Sequence, residues 1–348
     1  MKGLASVLLC ILLAIVCWGI YGPLLQSGTV QMARNGLAAF LCVGLAYFAI
    51  AVVVPVLLLN SLGERGHWNA GGIGWSLIAG ASGAIGALGV ILAMKNGGSP
   101  IYVMPLVFGG APVVNSLLTI VLARSWNQVK PVFIAGLIIV MIGAVTVMVF
   151  APTSHGPSQA KGLELAPLAI VLLFTALTAV CFGAYGPTLH KGQVAMGGSR
   201  LRPFLCVGIA YFLIAVLVPG GLLLTAGQQV SWSFGGVIWS LAGGAAGAIG
   251  ALGIILAFNF GGKPVYVMPL VFGGAPVVNT FVSLIQQGTM GQIGPVFIAG
   301  LILVAVGAAV VLVFAPRGHG PAPTAETKSN AKKPTDPSAH HGEGRKPV

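Results

Sequence analysis

Acidic residues are almost absent from this sequence. Glu64, Glu164, Glu326, Asp336 and Glu343 are the only five in 348 positions, and each falls in a polar stretch between or beyond the long apolar runs. Apolar runs without a carboxylate offer no proton relay of buried Asp or Glu inside a membrane, and no counter-ion for a cationic solute. Charge of either sign is scarce, at 6% of residues against roughly 25% in a soluble domain. The five cysteines, Cys10, Cys17, Cys42, Cys181 and Cys206, all lie in apolar runs, where a thiol serves as a small packing residue. No disulfide framework and no metal site is read from them. There is also no Ser-His-acid set, no pair of carboxylates, no HExxH pattern and no ATP-binding P-loop, so enzyme chemistry has no visible machinery and no cofactor is implied.

What the sequence has is apolar length. With 57% hydrophobic residues, it contains ten runs of about 20 residues, the length that crosses a hydrocarbon core of roughly 30 Å. They fall near 4–26, 37–60, 71–94, 101–122, 131–151, 166–188, 203–224, 235–258, 265–286 and 295–315. Barrel strands would be half as long and would alternate polar with apolar, so these runs are expected to be helices that satisfy their own backbone bonds. Lys2 ahead of the first run resembles the start of a signal peptide. The absence of a small-x-small cleavage site, and a counterpart of residues 17–23 deep in the chain, read it instead as the first span.

The chain is one unit written twice. CWGIYGP at 17–23 returns as CFGAYGP at 181–187, FLCVGLAYF at 40–48 as FLCVGIAYF at 204–212, and YVMPLVFGGAPVVN at 102–115 unaltered at 266–279, all at an offset of 164. Five spans per unit is odd, which turns the second unit upside down in the membrane. Charge agrees: with the N-terminus inside, Lys2, Arg65, Arg124, Lys130, Lys191, Arg200, Arg202 and Lys263 face the cytoplasm, against Arg34, Lys95 and Lys161 on the other side. The expected fold is therefore an all-α membrane protein of ten transmembrane helices in two inverted five-helix repeats. Residues 1–152 form the first repeat, 153–165 a connecting loop, 166–316 the second repeat and 317–348 a disordered, basic cytoplasmic tail. His340 and His341 read as solvated tail residues. The formal charge of +12 comes from loops and tail, a topology signal that does not imply nucleic acid.

Candidate site residues follow from faults in the helical pattern. Pro105, Gly109, Pro112, Ser116 and Thr119 share one face of the fourth span, and Pro269, Gly273, Pro276, Thr280 and Ser283 the same face of the ninth. Each proline frees a carbonyl four residues earlier, which in lipid needs a hydroxyl, a neighbouring helix, water or a ligand. These prolines and glycines are read as helix breaks and gating points lining a midplane cavity. The alternative is that they only allow close packing. Asn115 and Asn279 sit at the edge of that face, and Tyr21 and Tyr185 stand beside the Gly-Pro pairs of spans 1 and 6. With Ser116 and Thr280 they make up a neutral candidate substrate lining. The glycine tracks Gly80, Gly83, Gly86, Gly89 and Gly244, Gly247, Gly250, Gly253 read as helix-packing surfaces. Trp18, Trp75 and Trp239 read as packing, Trp68 and Trp232 as interfacial. Lys191, Arg200 and Arg202 read as topology anchors, with a phosphate or carboxylate site as the alternative.

Cys17-Trp18-Gly19 in span 1, Pro112 in span 4, and Gly136-Leu137-Ile138 followed by Gly143 in span 5 resemble the drug/metabolite transporter superfamily, in its ten-helix EamA-like branch. The second half carries the pattern again in Cys181-Phe182-Gly183, Pro276 and Gly300-Leu301-Ile302 followed by Gly307. The resemblance implies a facilitator or exchanger of small metabolites in the plasma (inner) membrane, with a central cavity and both termini cytoplasmic. The expected partners are a small-molecule solute and the lipid bilayer, with homodimerisation left open. The expected activity is secondary transport of a small neutral or zwitterionic metabolite by alternating access. Alternatives are translocation of a lipid or lipid-linked head group, and a non-transporting membrane scaffold.

Overall fold

The structure is a computed structural model and describes residues 2–62, 64, 66–123, 126–150, 152, 165–225, 230–260 and 264–314. The connecting loop, the tail, and Arg65, Arg124, Lys161, Glu164 and Lys263 lie outside the described residues. No strand occurs among those described, and the described residues form ten long helices in sequence, besides two short 3-10 turns at Trp126–Gln128 and Met290–Gln292. They are α1 (Lys2–Gln31), α2 (36–62), α3 (Ala70–Lys95), α4 (Pro100–Ala123), α5 (Pro131–Phe150), α6 (Leu165–Ala195), α7 (201–225), α8 (Phe234–Asn259), α9 (Pro264–Gln287) and α10 (Pro295–Phe314). Eight are long and apolar enough to cross a membrane, which makes this an integral membrane protein in its composition and architecture. The other two, α5 and α10, have shorter apolar stretches at Pro131–Val147 and Pro295–Val311. Each still has 20 residues, about 30 Å at 1.5 Å per residue.

The prolines do not open the helices. α4 stays helical through Pro105 and Pro112, α9 is continuous over its 24 residues, and α1 and α6 run on past Pro23 and Pro187 to lengths of 30 and 31 residues. Beyond those prolines the hydroxyls bond within their own helices, Thr29 Oγ1 donating to the Leu25 carbonyl and Thr188 Oγ1 to the Ala184 carbonyl, each at 2.8 Å.

The real irregularity lies in α2 and α7. Residues Ala49–Val53 and Leu213–Leu217, again 164 apart, form single π turns. In α2 the Val54 N–H reaches five residues back to the Ala49 carbonyl. The cause is the next residue: the ring of Pro55, and of Pro219 in α7, would collide with the carbonyl four positions earlier, and widening the turn removes that collision.

The halves pack on one another more than on themselves. α1 lies on α8 and α9, and α6 lies on α3 and α4; α2 meets α7, α5 meets α10, and α4 meets α9. Exchanging every residue for its counterpart 164 positions away turns the α1 contacts with α8 and α9 into the α6 contacts with α3 and α4, and returns the other three contacts to themselves. Gly44 of α2 touches Ala215 and Val216 of α7, while Gly208 of α7 touches Ala51 and Val52 of α2. A Cβ at Gly44 would stand 2.8 Å from the Ala215 carbonyl carbon, and one at Gly208 2.8 Å from that of Ala51, so only glycine allows the two backbones this close. Rising residue numbers on α2 meet falling numbers on α7, so the two run antiparallel. α5 and α10 do likewise, with Gly136 against Val310 and Val311, and Gly143 against Gly300 and Val304.

Candidate functional site

Where the halves meet at mid-length, seven aromatic side chains surround a cavity of about 50 Å³. Trp18 and Tyr21 come from α1, Tyr47 from α2, Phe108 from α4, Phe182 and Tyr185 from α6 and Tyr211 from α7. Gly83 of α3 and Gly247 and Ala251 of α8 complete the wall. The wall is built in pairs 164 apart: Trp18 with Phe182, Tyr21 with Tyr185, Tyr47 with Tyr211, and Gly83 with Gly247. At roughly 10–15 Å³ per water, the space holds a few waters and no more in this conformation.

Tyr47 and Tyr211, just ahead of the two π turns, stack face to face with ring centroids 3.5 Å apart and planes 2° from parallel. The glycine tracks admit these rings: a Cβ at Gly83 would lie 2.9 Å from the Tyr211 hydroxyl, and one at Gly247 3.0 Å from that of Tyr47. Trp18 donates its indole N–H to the Gly247 carbonyl at 3.2 Å and meets Tyr185 edge-on at 6.5 Å. Its counterpart Phe182 has no donor, so here the pairing is unequal.

The Tyr21 and Tyr185 hydroxyls are different. Both side chains are more than nine-tenths buried, at 6% and 7% exposed, and neither hydroxyl has a partner among the described residues. A buried phenol without a partner costs about 1–3 kcal/mol, so two at one cavity are an unmet demand for hydrogen-bonding groups.

Of the six residues read from the sequence as a substrate lining, Tyr21 and Tyr185 line this cavity and the other four do not, while Trp18, Gly83 and Gly247, read as packing, line it too. Asn279 is fully buried; its Nδ2 donates to the Pro100 carbonyl at 2.8 Å, tying α9 to the start of α4. Its Oδ1 has no partner and lies against Gly22 of α1. Asn115 is half-buried. Ser116 and Thr280 are buried with unpartnered hydroxyls, and Thr280 borders a separate, wholly apolar pocket of about 240 Å³ between α9 and α10.

The proline-glycine face points to packing contacts: Gly109 sits against Val304 of α10 and Val140 of α5, and Gly273 is nearest the Ala305 carbonyl of α10. Pro105, Pro112 and Pro276 are buried without reaching the cavity. Of Pro269 only its place within α9 is described. It is Phe108, one residue from Gly109, that reaches the centre. Sequence reasoning missed Tyr47, Tyr211, Phe108 and Phe182. The usable signal was Pro55 and Pro219, which mark the π turns beside the two stacked tyrosines.

Two members of the basic cluster, Lys191 and Arg202, are engaged locally. The Lys191 ammonium lies 4.5 Å from the Trp75 ring centre, and Arg202 pairs with Glu64 at 3.6 Å while its guanidinium lies 5.7 Å from the Trp68 ring.

No family model matches the chain, and no curated protein is similar to it. Among eight matching chains of solved structures, one crystal structure of a protein is similar with a TM-score of 0.56 at 18% identity, over 90% of this chain and 99% of that one. At that identity the likeness concerns the fold alone.

Proposed function

We propose that this protein is a secondary transporter of the drug/metabolite type, built as two inverted five-helix repeats that give a small neutral or zwitterionic solute access to each side of the membrane in turn. One observation carries the reading: a cavity at mid-length, furnished in equivalent pairs from the two halves, with two buried tyrosine hydroxyls left without partners. Inversion is supported by the antiparallel passage of the equivalent helices α2 and α7, and α5 and α10. A head-to-foot pair of units can exchange conformations, so that what opens at one end in the first closes at that end in the second. A solute that accepts hydrogen bonds from Tyr21 and Tyr185, and lays an apolar part on Trp18 and Phe182, would meet the demand that the empty site leaves. Because the cavity in this conformation is smaller than a sugar or an amino acid, loading it requires the helices to part. Both termini then lie in the cytoplasm and the membrane is the plasma (inner) membrane.

Head-group translocation is less well supported, because two of its three basic residues are already engaged, Arg202 by Glu64 and Lys191 by Trp75. The test is purified protein in liposomes, offered a broad panel of sugars, amino acids and related metabolites, with substrate-induced thermal stabilisation as a first screen. Uptake of members of the panel, lost when Tyr21 and Tyr185 are both replaced by Phe, is the expected result. Movement of charged solutes alone would sink the reading.

A further inference from the structure

One end of the bundle holds the only described ion pair. Glu64, in the loop between α2 and α3, is 11% exposed at its side chain and reaches across to the other half of the molecule. Its carboxylate accepts from Ser199 Oγ at 2.7 Å, from the Arg200 N–H at 2.7 Å and from the Leu201 N–H at 3.2 Å, and stands 3.6 Å from Arg202 Nη1. It thus closes the first turn of α7, where a negative charge meets unsatisfied N–H groups. Ser199, 1% exposed, also accepts from the Arg202 N–H at 3.2 Å. The loop lies flat on the end of α6, with the His67 N–H bonded to the Met196 carbonyl at 3.3 Å, and Gly66 at φ 113° leaves no room for a Cβ, which would stand 2.6 Å from that same carbonyl.

The other end has nothing of this strength among the described residues. There Ser233 Oγ donates to the Gln31 carbonyl at 2.8 Å and Gln287 Nε2 to Ser99 Oγ at 3.5 Å, both neutral contacts. The sequence agrees. Displaced by 164, the positions of Glu64, Ser199, Arg200 and Arg202 are held by Gln228, Asn35, Gly36 and Ala38, which carry no charge. Asn35 caps its own helix instead, accepting from the Ala38 N–H at 3.1 Å.

We propose that Glu64, with Ser199 and Arg202, is a one-sided latch that holds the Glu64 end shut and biases the resting protein toward that state. By the sidedness of the loop charges, this is the cytoplasmic end. The proposal rests on the two-sided access argued above. Hydrogen bonds to a charged group are the strong ones, so releasing them shifts the equilibrium by at least about tenfold.

The test uses the full chain in lipid nanodiscs, with the native cysteines replaced by alanine and paired spin labels at each end. Ser61→Cys with Val194→Cys reports the Glu64 end, and Val30→Cys with Ser231→Cys the opposite one. Glu64→Gln is expected to raise the long-distance population of the first pair at least about tenfold, without lengthening the second. Arg202→Met, which leaves the carboxylate on the α7 N-terminus, is expected to give a smaller change of the same sign. Distances unchanged in both variants overturn the latch. Should Glu64→Gln fail to fold, Arg202→Met and Ser199→Ala decide by the same readout. Transport by liposomes with no change in distances removes the latch and keeps the transporter. Responsive distances with no solute moved from the panel do the reverse.

Discussion

On the proposed reading, the Tyr21 and Tyr185 hydroxyls are where stability and function pull in opposite directions. A buried donor with no partner destabilises the empty protein, and its removal relieves that cost. Tyr21→Phe is therefore expected to raise the melting temperature of the substrate-free protein, by an amount equivalent to about 1 kcal/mol, while weakening apparent solute affinity roughly tenfold. Thermal unfolding with and without solute checks both signs. A second residue-scale prediction concerns the turn after α1. Ala33 and Arg34 adopt φ of 51° and 60°, where the equivalent turn after α6 has Gly197 and Gly198 at 68° and 75°. A side chain in that region costs on the order of 1 kcal/mol. Arg34→Gly is thus expected to stabilise the protein by up to about 1 kcal/mol in a melting experiment, and Gly198→Arg to destabilise it by a similar amount. Tyr21 and Tyr185 were legible because a Gly-Pro pair marks their place. Tyr47 and Tyr211 were not, since they stand in uniformly apolar runs where periodicity cannot tell a lipid-facing side from a cavity-facing one.

At the scale of the element, the irregularity lies elsewhere than the sequence reading placed it. Pro105, Gly109, Pro112 and their counterparts were expected to break α4 and α9; instead both stay helical, and the π turns lie just ahead of Pro55 and Pro219 in α2 and α7, beside the aromatic stack. Proline signals a missing N–H, but whether the helix bends, widens or simply continues depends on what its neighbours supply, and that is not written locally. Close approach between α2 and α7 is the easier part to test. Gly44→Val would drive a branched side chain into the α7 backbone and is expected to cost about 3 kcal/mol or more, or to prevent folding. Gly74→Ala, at a position with nothing within 4 Å of the added carbon, is expected to be tolerated. Comparing expression and melting of the two separates overpacking from a general intolerance of α-helical glycine replacement.

For the whole molecule, the duplicated sequence gave the number of helices and their approximate limits, because an apolar run of fixed length and a fixed offset are both readable without tertiary contacts. The pairing of α1 with α8 and α3 with α6 was not readable, because in lipid every helix face is apolar and packing is decided by shape. Inversion makes a prediction at this scale. Val30 and Val194 are equivalent positions, 53% and 62% exposed, near the ends of α1 and α6. Cysteines placed there one at a time are expected to react with a membrane-impermeant maleimide from opposite sides, Val30→Cys from outside the cell and Val194→Cys from the cytoplasm. Labelling of both from the same side would refute the inverted arrangement. Finally, the aromatic wall, Phe108 apart, is stocked in duplicate, one member of each pair from each half. On the proposed transport reading, a lineage can alter one copy and retain its twin, so selectivity can drift by half-steps and a single lesion dims the site without abolishing it.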